Sequence, residues 1–458
     1  MCLKNTSKLM NEEVREIYIE LWSLCKDVER PLCHKYRSLR ELFERVARGQ
    51  MQNVSLQATD LAARINYLAT QYSLDRWVKN ALHTFRLTSN DVMNHRKEPL
   101  DEEFFRDVRS VAEAVHVMLH TPIPKELAEI LPSRMSKNSM KRGKNVLERR
   151  IRVCFEYADA EFLYVTPVDE VSDEYWKIRY NQLGVNDEFT EGIKEYWRHA
   201  QLNLLDVKRN EDGTYTPSFI VLEPDYLVDI SALAECYRDY GSHPANYIMS
   251  RLVPIDNARP LLLGNIANLF LDEWIYASEE EPEYLDCMKK VFKRYPVELA
   301  ACEELLDKEK ETAFFKDCQM HFEHIRQTVK DTFLEPGYNL DKSDAVLEPS
   351  YICEALGVQG RLDYMQRDMS SFIEMKSGKA DEYAIKGKLE PKENNRVQML
   401  LYMAVLEYSM GIDRRKQHPY LLYTRYPLLY PARASWAQVR RIIALRNRIV
   451  AAEYGTQM

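Results

Sequence analysis

The segment that most constrains this chain runs from residue 360 to 379 and reads GRLDYMQRDMSSFIEMKSGK. It predicts two short strands joined by the polar turn QRDMS. Because residues two apart in a strand point to the same face, Glu374 and Lys376 share one face while Met375 points into a core. Asp363 stands on the strand before the turn. The hairpin is therefore expected to bring two carboxylates and one ammonium group into a single pocket.

A divalent cation would explain this grouping, because two neighbouring carboxylates repel each other and one pKa rises. Oxygen ligands with room for water suit Mg²⁺ or Mn²⁺ better than zinc. Asp363 and Glu374 are the predicted ligands, and the Met375 backbone carbonyl could supply a further oxygen. Lys376 would orient or help to deprotonate an attacking water and stabilise charge on a phosphate. The alternative is a surface hairpin with an ordinary cross-strand ion pair.

The flanking residues favour a catalytic site over the ion pair. Gly360 precedes Asp363 in a GxxD arrangement, and Lys379 adds a cation after a tight turn. In the following segment, NNRVQMLLYM, Gln398 and Tyr402 are four residues apart and share one face of a predicted helix. An amide and a phenol there could bind a DNA phosphate. Each short motif is weak alone, but the order and spacing of the set are specific.

The length and composition of the chain describe a globular protein of several domains. Its 458 residues are too many for one ordinary core, which favours two to four domains. Hydrophobic residues make up 45% and charged residues 29%, as in typical globular proteins. We find no apolar run near the roughly 20 residues that a membrane span needs, and no apolar signal core at the start. We therefore expect a cytoplasmic protein, associated with the nucleoid if bacterial, with no membrane partner.

The cysteines and the missing phosphate-binding loop exclude several classes of site. The nine cysteines are scattered without a CxxC pair, which argues against a zinc site and against a disulfide framework. Reduced thiols are the expected state. The pattern GxxxxGK[ST] does not occur, so we expect no ATP site in this chain.

Charge is distributed unevenly along the chain. The net charge is −8, but residues 360–458 contain 17 Lys and Arg against 10 Asp and Glu, a balance of +7. The remaining residues contain 46 basic against 61 acidic side chains, a balance of −15. A mildly basic end on an acidic chain permits nucleic-acid binding without proving it.

Hydrophobic periodicity predicts three regions. Residues 1–130 place apolar residues at three- and four-residue steps, which indicates a helical region. Residues 131–230 begin with a basic connector, 131–152, which is either a solvated linker or an arm that contacts phosphates. A β-rich segment follows and predicts a small barrel or a sandwich. Residues 231–458 return to helices and then alternate strands with helices.

Aromatic residues of the β-rich segment have two interpretations. Small barrels can bind single strands on aromatic faces, and four side chains could serve there. The other interpretation places them in the core. They are Phe155, Tyr157, Phe162 and Tyr164.

The segments GRLD, IEMKSGK and QMLLY together resemble the PD-(D/E)xK nuclease superfamily, and specifically its RecB-like branch. That branch has a GxxD strand, a (D/E)xK strand and a following QxxxY helix, and the specific similarity covers about residues 260–430. The resemblance implies a divalent metal, hydrolysis of DNA phosphodiester bonds and an α/β core with a central mixed sheet. The expected fold is thus multi-domain α+β, with a helical region, a barrel-like segment and a C-terminal nuclease core.

Carried over residue by residue, the resemblance implies roles for the hairpin and the helix after it. Asp363 and Glu374 become metal ligands, Lys376 the catalytic lysine, and Gln398 with Tyr402 the pair that positions the substrate.

Three further positions are candidates for the same site. Glu348 stands where many such proteins carry an acid on the first core strand. Arg361 and Lys379 flank the motif residues and could contact the substrate.

The branch also has an earlier GxxxH helix whose histidine binds metal, and LLLGNIANLFLDEW resembles that helix. Gly264 is in place, but Asn268 stands at the histidine position. Asn268 could still offer an oxygen, and Asp272 lies four residues further on the same helix face. Alternatively, His321 or His324 takes that role, although a helix often carries histidines with no function.

A looser resemblance is to the nuclease part of the DNA replication helicase/nuclease family. Many members hold an iron–sulfur cluster through one early and three late cysteines. No cysteine follows Cys353 here, so we expect no cluster. The motor is absent as well, which implies a nuclease part of a longer protein or a separate helicase partner.

The sequence therefore predicts a metal-dependent DNA nuclease that processes single-stranded DNA or DNA ends in repair, replication or defence. The alternative is a catalytically inactive, nuclease-like module that binds or guides DNA. A site-specific restriction endonuclease shares the chemistry, but the QxxxY helix argues against it.

Overall fold

The chain forms two compact units, which are described separately. One unit contains Met1–Glu223 and Glu453–Met458, and the other contains Pro224–Ala452. The three predicted domains, 1–130, 131–230 and 231–458, stay a prediction. The fold comes from a computed structural model, which describes residues 3–51, 60–132, 148–172, 174–238, 241–252, 259–278, 280–338, 340–383, 388–433 and 435–455.

The first unit begins with amphipathic helices, as the periodicity predicts. One face of each helix is apolar, and these faces pack into a shared core. The side chains of Asp60 and Asp75 accept hydrogen bonds from the first turns of the third and fourth helices and so fix where they begin. The described helices of this part are α1 (Leu3–Lys26), α2 (Leu32–Gln50), α3 (Leu61–Gln71), α4 (Arg76–Met93), α5 (Asp101–Leu119) and α6 (Lys125–Ala128).

A small closed barrel of five strands follows, which confirms the predicted barrel-like segment. The ring runs β1–β2–β3–β5–β4 and closes where β4 pairs with β1. The pair β3–β5 is parallel, the other pairs are antiparallel, and β6 extends the sheet from β4. The strands are β1 (Glu148–Ala158), β2 (Phe162–Pro167), β3 (Trp176–Arg179), β4 (Gln201–Arg209), β5 (Tyr215–Thr216) and β6 (Phe219–Leu222).

A β-bulge in β1 decides which aromatic side chains enter the barrel. The pairing with β2 shifts register between Phe155 and Tyr157, so that Glu156 is the extra residue. Without the bulge, Phe155 and Tyr157 would share a face. With it, Phe155 is buried in the barrel at 5% exposure, while Tyr157 is 49% exposed.

The second unit combines helices with a central mixed sheet. Its first half is mainly helical, and its second half alternates strands with helices. The elements are β7 (Val228–Asp229), α7 (Ile230–Ala234), β8 (Tyr237–Arg238), β9 (Gly241–Ser242), α8 (Pro244–Leu252), α9 (Arg259–Tyr276), α10 (Tyr284–Arg294), α11 (Pro296–Ala301), α12 (Lys308–Lys330), β10 (Ala345–Leu347), β11 (Ser350–Cys353), β12 (Val358–Arg361), β13 (Tyr364–Gln366), β14 (Ser371–Lys376), β15 (Asp381–Tyr383), β16 (Lys388–Glu390), α13 (Glu393–Met410), β17 (His418–Tyr423), β18 (Leu428–Pro431) and α14 (Trp436–Gly455).

The central sheet has the order β10–β13–β14–β17–β18, and only its β14–β17 pair is parallel among the described strands. Ile373 and Met375 of β14 belong to a core that also contains residues of α9, α10 and α12. Glu374 and Lys376 point to the opposite face, where Gln398 of α13 contacts both. The sheet therefore lies between two layers of helices.

Two predicted strands are divided in the structure. The strand expected to carry Asp363 is interrupted: β12 pairs with β11 and β7 in a separate small sheet, and β13 begins only at Tyr364. The antiparallel register nevertheless continues across this bend, because the Leu362 N–H donates to the Pro349 carbonyl at 3.1 Å and the Glu348 N–H donates to the Asp363 carbonyl at 3.1 Å. Further on, HPYLLYTRYPLLY forms the antiparallel pair β17 and β18 rather than one strand.

Most of the predicted basic connector, residues 133–147, lies outside the described residues. Its last part, with Arg149, Arg150 and Arg152, belongs to β1. Among the described residues, no helix combines the length and apolar character required to cross a membrane.

Candidate active site

Strand β14 presents Glu374 and Lys376 on the same face, next to each other. The Lys376 Nζ donates a hydrogen bond to the Glu374 Oε1 at 2.8 Å. The Glu374 side chain is 6% exposed and that of Lys376 is 24% exposed. The strand alternation that buries Met375 on the other face thus creates a nearly buried ion pair.

Asp363 reaches this strand although it lies in the bend between β12 and β13. Its Oδ2 accepts a hydrogen bond from the backbone N–H of Met375 at 2.6 Å. The Asp363 carbonyl accepts another from the Glu348 N–H at 3.1 Å. These two bonds hold the Asp363 side chain beside the backbone that joins Glu374 to Lys376.

Gln398 on α13 completes a closed set of hydrogen bonds. Its Oε1 accepts from the Lys376 Nζ at 2.8 Å, and its Nε2 donates to the Glu374 Oε1 at 2.6 Å. The same Nε2 donates to the Ser231 Oγ of α7 at 3.1 Å. Ser231 was not predicted, because it is 167 residues from Gln398 in the chain and belongs to no motif.

Tyr402 lies one turn further along α13 and is fully buried. Its hydroxyl donates to the Arg361 carbonyl at 2.6 Å. A Cβ on Gly360 would stand 3.1 Å from the Tyr402 ring and 3.0 Å from Ile230. Gln398 and Tyr402 are both buried, and both bind other parts of the motif; their expected contact with substrate stays a prediction.

Burial changes the pKa of both motif carboxylates. Burial, together with the neighbouring charge of Asp363, raises the pKa of Glu374 to about 8, although Lys376 and Gln398 favour its ionised form. Burial also raises the pKa of Asp363, against the opposing effect of Lys376. Both carboxylates are thus in a setting that penalises their negative charge.

Helix α9 brings a third carboxylate to the site. Gly264, Asn268 and Asp272 recur at four-residue steps and so share one stripe of the helix. A Cβ on Gly264 would lie 3.5 Å from the Oγ of Ser377, directly after β14. Burial raises the pKa of Asp272 to about 6, and the charges of Glu348 and Asp363 add to that rise. Asp272 is therefore within electrostatic reach of the motif.

Glu348 follows β10 rather than standing on a strand. Its φ is +50°, in the left-handed region that a residue with a side chain seldom adopts. The Arg361 Nη1 donates to the Glu348 Oε2 at 3.2 Å. Strained residues of this kind concentrate at functional sites. Of the two flanking cations, Arg361 pairs with Glu348 and Lys379 is exposed.

The two histidines of α12 approach the site from the end of the strands. The Nδ1 of His324 lies 3.0 Å from the Thr424 carbonyl, and the Thr424 N–H donates to the Lys376 carbonyl at 3.0 Å. His321 is buried, and burial lowers its pKa. The hydrogen bond of His324 therefore goes to backbone next to Lys376 rather than to the carboxylates.

The donor atoms fit a hard divalent cation. The Oε2 of Glu374 is buried and has no hydrogen-bond partner among the described residues. Asp363 and the Met375 carbonyl would add oxygens, which suit Mg²⁺ or Mn²⁺. In the described part of the chain, no three His, Cys, Asp or Glu side chains are already grouped closely enough to hold a metal.

No protein-family model matches the chain, and no curated protein matches its sequence.

Proposed function

We propose that this chain is a divalent-metal-dependent DNA nuclease of the PD-(D/E)xK type, acting on single-stranded DNA or DNA ends. The observation that supports this most is the hydrogen bond from the Met375 N–H to the Asp363 carboxylate. It joins the two parts of the motif across 12 residues and a break between strands. An ordinary hairpin ion pair does not require that bond.

The residues that would hold the cation are Asp363, Glu374 and the Met375 carbonyl, with Asp272 beside them. A bound Mg²⁺ or Mn²⁺ supplies positive charge that offsets carboxylate repulsion and favours attack of water on a phosphodiester. In that hydrolysis, the water oxygen would bond to phosphorus, the ester P–O bond would break with its electron pair going to the leaving oxygen, and the proton lost by the water would be balanced by protonation of that leaving oxygen. Lys376 stabilises the negative charge that develops on the phosphate.

Gln398 and Tyr402 are positioning residues in this proposal. The single amide group of Gln398 binds both Lys376 and Glu374 and so fixes the spacing between these two side chains. Tyr402 fixes the Arg361 carbonyl, two residues before Asp363. Their burial keeps the motif rigid, and rigid placement of catalytic groups is what a nuclease site needs.

The test is cleavage of labelled single- and double-stranded DNA by the purified chain with Mg²⁺ or Mn²⁺. We expect Lys376→Ala and Asp363→Asn each to lower the rate by about 100- to 1,000-fold, as loss of one charge-stabilising group typically does. Lys416→Ala removes an exposed lysine of the same unit and should cleave as the wild type. Undiminished cleavage in both site variants would refute the proposal.

The same assay separates the two candidates on α9. We expect Asp272→Asn to require more Mn²⁺ for half-maximal cleavage, because Asp272 senses the charges of Asp363 and Glu348. Asn268→Ala should change that requirement less. A larger increase in the Mn²⁺ requirement for Asn268→Ala than for Asp272→Asn would instead assign the role on α9 to Asn268.

A second candidate function is a nuclease-like module that binds DNA without cutting it. One observation favours it: Asn268 stands at the position where the resemblance leads us to expect a metal-binding histidine. DNA binding by a wild type that cleaves no substrate with either metal would select this candidate. The helicase partner and a place in repair, replication or defence stay predictions.

A further inference from the structure

The outer face of the first three barrel strands carries a row of aromatic and basic side chains. In the strand registers, Tyr157 is opposite Tyr164, and Tyr164 is opposite Lys177. Phe162 is opposite Arg179, two residues away from the Tyr164–Lys177 pair on each strand and on the same face. We call this set, together with the neighbouring Tyr175, the aromatic face of the barrel. Its members are Tyr157, Phe162, Tyr164, Tyr175, Lys177 and Arg179.

The rings on this face are ordered against one another. Tyr157 and Tyr164 stack with their centroids 4.3 Å apart and their planes 12° apart, and Tyr175 packs edge-on against Tyr157 at 5.9 Å. The Tyr164 hydroxyl donates to the Asp159 carboxylate at 2.8 Å, which fixes that ring. Tyr157 and Tyr175 are nevertheless 49% and 42% exposed. Aromatic surface is thus held rigidly toward solvent.

Two cations are held directly beside the rings. The Lys177 ammonium lies 5.9 Å from the centroids of both Phe162 and Tyr164, and the Arg179 guanidinium lies 5.1 Å from Phe162. Such cation–π contacts keep a positive charge at an aromatic surface. Arg179 also pairs with Asp212 at 2.6 Å, so its charge is partly offset.

A pocket of about 650 Å³ adjoins the aromatic face at the turn between β4 and β5. Arg179 lines this pocket and so connects it to the aromatic face. Lys208 and Arg209 add two further basic side chains, and Glu211 and Asp212 are acidic members of the lining. Basic side chains therefore continue from the rings into the pocket.

We propose that the aromatic face binds single-stranded nucleic acid. Bases stack on the exposed surface of Tyr157 and Tyr175, and the phosphates follow Lys177 and Arg179 toward the pocket. Aromatic rings that accept any base, combined with cations along the backbone path, are the features of single-strand binding without sequence preference. By analogy, oligonucleotide-binding five-stranded barrels use their second and third strands and the loop between the fourth and fifth. The site is independent of the metal site and does not rest on the proposed nuclease activity.

The test is the fluorescence anisotropy of labelled oligonucleotides of about 20 nucleotides with the full chain in EDTA, which prevents metal-dependent cleavage. We expect Tyr157→Ala and Tyr175→Ala each to weaken binding about tenfold through lost stacking, with Tyr157→Phe near the wild type. We expect Lys177→Gln to reduce the slope of log K against log salt by about 0.7, the loss of one phosphate contact to a single strand.

Matched controls separate this surface from general charge effects. Lys194→Gln removes an exposed lysine elsewhere in the same unit and should leave both the affinity and the salt slope unchanged. Unchanged melting temperatures would show that the variants are folded. Wild-type binding by both tyrosine-to-alanine variants, or equal effects of Lys177→Gln and Lys194→Gln, would overturn the proposal.

Parallel arms use poly-thymidine DNA, poly-uridine RNA and a DNA duplex. Binding of either single strand at least tenfold tighter than the duplex supports the proposal, and equal binding of the duplex overturns it. A wild-type chain that prefers single strands in this way but cleaves no DNA would refute the nuclease proposal and leave the binding proposal intact.

Discussion

Buried carboxylates with a raised pKa occur both inside and outside the candidate site, so the pKa alone does not locate function. Burial raises the pKa of Asp107 in α5 to about 7, and the Tyr36 hydroxyl donates to its Oδ2 at 2.8 Å. That bond gives Asp107 a structural role within the helices. Glu374 differs because its second carboxylate oxygen is buried without a partner among the described residues. An unsatisfied oxygen beside a second carboxylate is the feature that supports the proposed cation site.

Asp107 makes the stability of the first unit depend on pH. Because its pKa is about 7 when folded and about 3.9 when unfolded, the folded state keeps a proton that the unfolded state has released between these values. The contribution of Asp107 to the free energy of unfolding is therefore greatest below about pH 4 and is lost as the pH rises through 7. We expect the free energy of unfolding to lose up to about 4 kcal/mol over that range.

Asp107→Asn should make the free energy of unfolding less dependent on pH, because an amide has no proton to release in this range. Urea unfolding at several pH values measures this dependence. Glu41→Gln changes an exposed carboxylate of α2 and should keep the wild-type profile. The same pH dependence in Asp107→Asn as in the wild type would contradict this assignment.

Sequence alone could predict the residues on one strand but not those that come from distant segments. Period-two alternation predicts that Glu374 and Lys376 share a face, and the structure has them in contact at 2.8 Å. The contribution of Ser231 depends on how α7 packs against α13, which no local pattern encodes. The left-handed φ of Glu348, whose N–H donates to the Asp363 carbonyl, is likewise not encoded by a local pattern.

At the scale of elements, Gly360 sets how closely α7 and α13 approach β12. Its missing side chain leaves room for Tyr402 and Ile230, which a Cβ would meet at 3.0–3.1 Å. We expect Gly360→Ala to lower the free energy of unfolding by about 1–3 kcal/mol, because overpacking moves neighbouring side chains. It should also slow cleavage, because Tyr402 fixes the Arg361 carbonyl near Asp363.

The control for this prediction is Gly378→Ala, whose Cβ would meet nothing within 4 Å. In a double-mutant cycle, Tyr402→Leu should relieve part of the cost of Gly360→Ala, since it removes the ring that the new methyl group meets. Additive effects of the two changes would show that the contact between Gly360 and Tyr402 is not what matters.

Whether a segment forms a helix or a strand follows from the sequence more directly than the point at which a strand is interrupted. The helical region and the barrel were predicted because each has a consistent period over many residues. The sequence predicts a single strand that carries Asp363 before the turn QRDMS. The break comes from pairing: β12 joins β7, which is more than 100 residues earlier in the chain.

At the scale of the whole molecule, a cation should stabilise only one of the two compact units. The proposed ligands all lie within Pro224–Ala452. A ligand that binds the folded state stabilises it by about 2.7 kcal/mol at 100 times its Kd. We expect Ca²⁺, a hard cation that takes oxygen ligands, to slow hydrogen exchange in peptides of Pro224–Ala452 and to leave peptides of Met1–Glu223 unchanged.

Asp363→Asn should abolish this protection, because it removes one of the proposed ligands. Asp368→Asn, in the turn of the same hairpin, should retain it, since an amide oxygen can still accept the hydrogen bonds from Ser370. Equal protection of both units by Ca²⁺ would mean that the cation acts on general surface charge instead.

The bulge at Glu156 has a consequence for how related sequences can differ in length. Inserting or deleting one residue between Val153 and Phe155 would exchange the sides of the strand, turning the tyrosine inward and the phenylalanine outward. A change of two residues would preserve both directions. Among natural variants that retain the aromatic face, we therefore expect this short interval to vary only in even steps, while the loops around it change freely.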